Sequence, residues 1–577
     1  MRKGERIFNR IIEYGIIFLI IFTPLAFGSV EVWATEVMKM TIFLIAAAWL
    51  LKKIWFAEKK GSPQMAGEAG TKQSDQGEDS QRQEGRAVLS QDKGGNSFHM
   101  GRRKWTRTGL EIPALIFVVF ILLQLIPLPP SLLKVVSPHS YQLNKMTLPG
   151  YDTPEGVDYN KMDEWLLKQE KDLPEELREI ILKEGAERRH PAFNIKGSNF
   201  RTLSVYSYLT REHLILLLAY LSIFFIIIDH YRTREKVYRL LLIIIVSGLL
   251  IASFGIIQKL TWNGKIYWLR SAGEGVSPFG PFVNRDHFAG YMELIVPLAF
   301  GLFFTLISRK IETEEGKVKW KIDMGRDGWN ITEVEEFSIQ KAFTLGFLLA
   351  ITIASIFMSL SRGGLVATSI TFILFAALLF IGKRKSMMEI ITMASVLGVS
   401  FIVLITIGLT PVKERIETLT GFSIESAFFK GRMAVWKHTL ELIRDFPLFG
   451  SGLGTFRQAF LSYYPSGSAS VWNQTHNDYL QLLSEVGIVG FLIFLVGLFL
   501  FFIKYYRKAV FERSNADRYI NLGLAMAIFS MGLHSFVDFN LQIPSNGFLF
   551  VVLMALLIAS KLWTQERAAD SIITSTL

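Results

Sequence analysis

Twelve runs of predominantly apolar residues set the folding problem for this chain of 577 residues. They lie near 11–29, 37–52, 110–128, 212–229, 239–259, 287–308, 342–360, 365–382, 388–409, 486–503, 519–535 and 546–562. Most approach the roughly 20 residues that carry a helix across the hydrocarbon core of a bilayer. Within that core the backbone must satisfy its own hydrogen bonds, and runs of this length do so as helices. The chain therefore reads as an all-α polytopic membrane protein with about 12 transmembrane helices. The run at 37–52 is the shortest, and an interfacial helix is its alternative reading. "MRKGER" ahead of the first run resembles the start of a signal peptide, but no A-x-A-like site follows and a second apolar run arrives at once. The first run is read as an uncleaved helix.

Charge sets the orientation. The net charge of +11 invites a nucleic-acid reading, yet Lys and Arg concentrate in short segments between spans, as membrane topology requires. No nucleic-acid partner is inferred. With the N-terminus cytoplasmic, the inner segments include "MRKGERIFNR", "HYRTREKVYR", "SRKIETEEGKVKWK", "GKRK", "KYYRKAVFER" and "KLWTQER", all rich in Lys and Arg. The short outer segments "GSVEVWATE", "SRGG" and "HSFVDFNLQIPSN" hold a single Arg. Both termini then fall on the cytoplasmic side. The chain has no cysteine, which excludes disulfides, thiolate nucleophiles and cysteine metal sites.

The domain organisation follows from these runs. Residues 1–56 carry the first two spans, and 57–108 form a linker rich in Gly, Ser, Gln, Asp and Glu, expected to be disordered. Residues 109–409 carry spans three to nine, with an outer loop at 129–210 whose "DEWLLKQEKDLPEELREIILKEGAERR" has helical periodicity. One or two surface helices are expected there. Residues 410–485 form a second outer loop, and 486–577 carry the last three spans and the C-terminus. In the second loop Met433, Trp436, Leu440 and Ile443 fall on one face of an amphipathic helix that stops near Pro447, suited to lying along a membrane surface.

The polar clusters "GPFVNRDHFAGY", "SRGG", "KGRMAVW", "NQTHNDY" and "HSFVDFN" all fall on the outer side, and the span interiors are nearly free of ionisable residues, Glu293 being the deepest. A charge at the bilayer centre costs about 2.5–3.5 kcal/mol on insertion scales, and a transporter of polar cargo keeps several such groups along its path. Here they gather at one surface instead, which favours a site for a lipid-anchored substrate from the outer leaflet. Arg362 stands at a junction between spans, next to Gly363 and Gly364. Its planar fork of donors suits phosphate; an arginine snorkelling to lipid headgroups is the alternative. With Arg285 and Arg432 on the same side, a shared anionic ligand is the better reading. "GSGLGTF" follows no strand and carries no P-loop lysine, so a turn accounts for it. No D-x-D occurs, which weakens a divalent-metal mechanism.

In "QTHNDYLQLLSEVGIVGF", Thr475 and Asp478 suggest a shortened capping box, with a helix starting at 475 and His476 in its first turn. A neutral imidazole there is a competent general base. The alternative is that His476 and Asn477 only satisfy backbone groups at a helix mouth.

The set "SRGG", "GR" with Trp436 four residues later, "DFPLFGSGLGTF" and "THNDYLQLLSEVGIVGF", in this order between spans, resembles the O-antigen ligase and polymerase superfamily of bacterial envelope glycosyltransferases. "FGPFVNRDHFAGYME" and "HSFVDFNLQIPSNG" are similar to flanking segments of its members, so the resemblance covers about 205–550. It implies a lipid-dependent glycosyltransferase (GT-C-like) fold in the bacterial inner membrane, with a site facing the periplasm. It also implies an undecaprenyl-pyrophosphate-linked glycan as donor, no cofactor and no metal ion. The acceptor is a glycolipid such as lipid A core in lipopolysaccharide biosynthesis, a second lipid-linked glycan for a polysaccharide polymerase, or a protein. In that comparison Arg362 and Arg432 hold pyrophosphate and His476 deprotonates the acceptor hydroxyl. Arg285, His287, Asn477, Asp478, His534 and Asp538 are expected in the glycan or acceptor pocket. A flippase is the reading from a different class, disfavoured by the scarcity of charge within the spans.

Overall fold

The computed structural model describes residues 3–57, 107–148, 150–153, 157, 199–271, 277–312, 322–325, 328–331, 339–382, 387–407, 427–463, 472–511 and 517–576. The linker centre at 58–106 and the helices expected over 163–189 lie outside the described residues.

All twelve apolar runs lie largely within helices. Among the described residues eight helices are long and apolar enough to cross a membrane by length and composition, and this makes the chain a multi-pass membrane protein. Val32–Ala57 runs for 26 residues and is one of the eight, so the short run at 37–52 underlies a full-length helix. Glu111–Gln124, Thr344–Ser359 and Ile390–Ile402 are shorter apolar helices, and Arg518–His534 has 17 residues. Two short antiparallel pairs, Lys265–Ile266 with Arg270–Ser271 and Ile322–Gly325 with Gly328–Ile331, depart from the all-α expectation. Both are local hairpins between helices.

The helix Arg285–Glu312 forms the axis of the bundle. Most of Arg285–Thr305 is buried, from His287 through Leu298 without a break, as befits a helix that is apolar all round. It packs most extensively on Arg518–His534 and also on Ile339–Ser359, Arg362–Gly382 and Arg234–Leu260. Phe300, Phe304 and Phe375 fill the centre of this core. The starts of the helices at Arg285, Arg362, Asp478 and Pro544 and the end of Arg518–His534 meet at one end of the bundle. The described part of the segment between 129 and 210 begins with two helices that periodicity did not single out, Pro130–Val136 and Pro138–Thr147. Each begins with proline at its first turn, where the missing N–H costs nothing.

The "GSGLGTF" turn is tied to this end by a buried carboxylate. Glu485 Oε2 accepts from the Gly454 N–H at 2.8 Å, and Gln124 donates to the carbonyls of Phe449 at 2.6 Å and Glu485 at 3.0 Å. Gly450, Gly452 and Gly454 all have positive φ, a region that glycine enters without a Cβ clash. The turn is thus a knot joining the Glu111 and Asp478 helices.

Candidate active site

The "SRGG" segment places its arginine by helix capping. Leu360 takes φ of 58°, and Ser361 Oγ then accepts from the Gly364 N–H at 3.1 Å, an N-cap that opens Arg362–Gly382 at its first residue. Arg362 is therefore helical, and the glycines lie within the first turn instead of forming the turn. Their role is close approach. A Cβ on Gly363 would stand 2.5 Å from His534 Nε2, and one on Gly364 would stand 2.6 Å from Ala289 Cβ and 3.0 Å from Glu293 Oε1. Three helices converge here only because these two side chains are absent.

Arg432 is brought in by Ala427–Asp445. The buried face of that helix presents Val435 and Leu442, with Phe446 directly after its end, to Phe456 and Phe460. Each such side chain contributes about 1.5–3 kcal/mol when removed from water. The face expected to be apolar is the outward one: Met433 is 46 % and Leu440 55 % exposed. The helix thus has two apolar faces, one for the protein and one free to meet lipid. Trp436 Nε1 donates to the Thr475 carbonyl at 2.9 Å, which ties the helix to the His476 segment, and the buried Arg432 guanidinium donates to the Val537 carbonyl. Burial lowers the Arg432 pKa, while Asp538 and Asp286 oppose that shift.

The structure corrects the expected helix start at 475. Asn477 is the N-cap of Asp478–Phe501, its Oδ1 accepting from the N–H groups of Tyr479 and Leu480 at 3.0 Å each. Asparagine outcompetes the expected pair because its side chain reaches both orphan donors. Thr475 Oγ1 instead donates to the Asn477 carbonyl at 2.6 Å. His476 therefore precedes the helix, in a left-handed conformation with φ of 53°, and is not part of its first turn. Its ring has a specific partner: His476 Nδ1 lies 3.0 Å from Asp538 Oδ1. Burial pushes the Asp538 carboxyl up, but the His476 hydrogen bond and nearby positive charge, Arg432 included, outweigh it and hold the group well below the usual carboxylate range. A charged Asp538 selects the Nδ1–H tautomer and leaves Nε2 as a proton acceptor.

Asp478, expected in a substrate pocket, is occupied by structure. Its Oδ2 accepts from Ser535 Oγ at 2.8 Å and from the Leu541 N–H at 3.1 Å, clamping the helix start to the "HSFVDFN" segment. Phe539 in that segment lies edge-on between the rings of His287 and His476, each at 4.8 Å. His287 is buried, and its carbonyl accepts from Asn546 Nδ2 at 2.9 Å.

The remaining groups enclose a cavity of about 230 Å³ lined by Arg285, Asp286, Arg362, Gly363, Arg432, His534 and Asp538. Three guanidinium groups and one imidazole face two carboxylates across a space large enough for a phosphate-sized anion. His476 lies outside this lining and joins it through Asp538. The sequence reading missed Asp286, which adjoins Arg285 in "NRDH" and was passed over because a carboxylate does not suggest an anion site.

These features define a polytopic helical membrane protein with a polar, arginine-lined site at one end of its bundle. Residues 347–495 match the family model described as O-antigen ligase, and this match supports the resemblance to the O-antigen ligase and polymerase superfamily. No curated protein matches the chain. The matched stretch holds Arg362, Arg432 and His476, while Arg285, His534 and Asp538 lie on either side of it. The family supports glycosyltransferase-type activity of ligase or polymerase kind.

Proposed function

We propose that the chain transfers a glycan from an undecaprenyl-pyrophosphate donor to an acceptor hydroxyl at the periplasmic face of the bacterial inner membrane, in the manner of an O-antigen ligase. The observation that carries this reading is the arginine-lined cavity joined through Asp538 to the His476 ring. Arg362 and Arg432, with Arg285 beside them, bind the pyrophosphate and stabilise the charge that grows on it as the glycosidic bond breaks. His476 Nε2 takes the proton of the acceptor hydroxyl as its oxygen bonds to the anomeric carbon. The lipid pyrophosphate leaves with the electron pair of the broken C–O bond, and a single displacement inverts the configuration. The guanidinium groups supply the charge neutralisation, so the step runs without a metal ion. A GT-C-like arrangement of twelve crossings, with both termini cytoplasmic, accords with the helix order.

Transfer from purified lipid-linked donor in detergent, with excess EDTA, tests the chemistry. Retained transfer is expected; loss with EDTA and rescue by Mg²⁺ or Mn²⁺ would overturn the metal-free step. A deletion strain tests the acceptor: long lipid-linked chains accumulate if the protein is a ligase, and single repeats if it is a polymerase. Accumulation on the cytoplasmic leaflet would instead indicate a flippase.

A further inference from the structure

The mechanism above leaves one pair of buried groups unused. Glu293 lies seven residues, about 10 Å, below Asp286 along the axial helix, and its side chain is fully enclosed. Ser530 Oγ donates to its Oε2 at 3.1 Å. Its Oε1 stands 3.0 Å from His534 Nδ1, an ion-pair distance out of line for a hydrogen bond. The opposite ring nitrogen, His534 Nε2, has no hydrogen-bond partner among the described residues, although the His534 side chain is only 1 % exposed. His534 lines the arginine cavity, and its Nε2 lies 4.0 Å from Asp538 Oδ2.

A buried polar nitrogen without a partner destabilises the fold, and a ligand atom that accepts from it removes that cost. The close approach of Gly363 to His534 Nε2 leaves that nitrogen beside the first turn of the Arg362 helix. The proton arrangement follows from the Glu293 contact. Either Glu293 is ionised beside an imidazolium, or a protonated Glu293 faces an unprotonated Nδ1. In both cases Nε2 carries a hydrogen into the cavity. A carboxylate beside a neutral ring leaves a buried charge uncompensated and is the most costly, and an Nδ1–H ring beside a protonated Glu293 leaves Nε2 a bare acceptor, unable to meet an anion.

We propose that His534 Nε2 donates a hydrogen bond to the anionic group held in the arginine cavity, and that Glu293 is the positioning residue that sets the ring's orientation and proton. This rests on the reading of the cavity as a pyrophosphate site and adds to it a fourth donor fixed from inside the membrane span. It also gives Glu293, the deepest carboxylate of the axial helix, a function: it is not part of the cavity lining and acts through His534, which is.

The test uses the full-length protein in detergent with farnesyl pyrophosphate as the probe, together with the glycan transfer assay. His534→Ala and Glu293→Gln are each expected to weaken probe affinity about tenfold, as loss of one charge-assisted hydrogen bond implies. His534→Gln, whose amide still donates, should recover part of the loss. The KM for donor should rise in step, with kcat at saturating donor and the KM for acceptor each within about threefold. Because Glu293 acts through His534, Glu293→Gln in the His534→Ala background should add nothing further. Unchanged affinity in Glu293→Gln, or fully additive losses, would overturn the positioning role. Should the variants not fold, the structure of the unmodified protein with the probe bound decides: a phosphate oxygen within about 3.2 Å of His534 Nε2 supports the proposal, and a phosphate held away from it overturns it. A protein that transfers glycan with these variants unaffected overturns this inference alone. One that neither binds the probe nor transfers glycan overturns the cavity reading as well.

Discussion

The two ends of the bundle both collect charge, and they do so in different ways. At the end remote from the cavity the half-buried Glu13 and Asp229 and the buried Asp517 are each covered by cations. Glu13 lies 2.8 Å from Lys236, 3.0 Å from His230 and 3.7 Å from Arg239. Asp229 pairs with Lys53 at 2.9 Å and Arg232 at 2.6 Å and accepts from Trp49 Nε1 at 2.9 Å. Asp517 joins Arg234 at 2.5 Å and Tyr238 at 2.7 Å. At the site end the arginines come from three different helices and face a shared cavity. Charges packed onto each other fix the relative positions of helices, whereas charges arranged around a space are set to receive a ligand. The comparison therefore predicts opposite consequences for substitutions of the same chemical size.

The largest effect is expected at the pair of His476 and Asp538. His476→Ala should lose about two to four powers of ten in turnover, with donor affinity changed only a few-fold. Asp538→Asn should lose about 10- to 100-fold, the usual result when the group that orients an imidazole is removed. Steady-state transfer with purified donor reads both. Near-normal turnover in His476→Ala would return that residue to a structural role at the helix mouth and remove the chemical half of the contrast.

A smaller effect is expected at the arginines. Arg362→Lys and Arg432→Lys keep the charge and lose the planar fork, so each should weaken donor affinity by about 10- to 100-fold, as loss of one strong hydrogen bond to a charged group implies. Thermal stability in detergent should change little. A melting temperature that falls with activity intact would show that these arginines fix helices as the remote end does.

The difference between the ends also explains what could be read from the sequence. Apolar period and loop charge located the helices, because bilayer thickness and backbone hydrogen bonding leave a chain few options. Arg362, Arg432 and His476 stood out because polar groups at span ends are sparse and their chemistry is distinctive. The pairing of His476 with Asp538, 62 positions apart, was out of reach because it depends on how the Asp478 helix and the "HSFVDFN" segment meet. The same holds for His534 and Glu293, joined only where the axial helix crosses Arg518–His534. Local rules also misled at one point: a capping box was read at Thr475 where the stronger acceptor, Asn477, sits two residues on. The partners of Glu13 are equally illegible: it falls inside the run at 11–29, and only the fold brings His230, Lys236 and Arg239 to it.

That residue gives the complementary prediction. Glu13→Gln withdraws the charge that Lys236 and Arg239 share beside the His230 ring, so it should lower stability by about 1–3 kcal/mol, read as a fall in melting temperature in detergent. Transfer per folded molecule should stay within about twofold. A selective loss of turnover, with stability intact, would mean that the remote cluster takes part in the reaction and that the two ends differ less than their geometry suggests.

The smallest effect concerns placement, and it is the prediction on which the physical meaning of the two ends depends. Cysteine is absent from the chain, so single introduced cysteines report their own surroundings. Ser361 and Ser545, on either side of the site, are fully buried and would be silent to a reagent whatever side they faced. Leu269, in the hairpin at the site end, is 82 % exposed, and Lys508, at the remote end, is also exposed. Neither touches the cavity, so Leu269→Cys and Lys508→Cys should both transfer glycan at close to the unmodified rate. In spheroplasts, an impermeant maleimide should label Leu269→Cys directly and Lys508→Cys only after the membrane is opened. Basic residues crowd the remote end, which the positive-inside rule assigns to the cytoplasm. Reversed labelling would put the arginine cavity on the cytoplasmic side, where a glycan already carried to the outer leaflet could not reach it, and the transfer reaction assigned to this end would have to be given up.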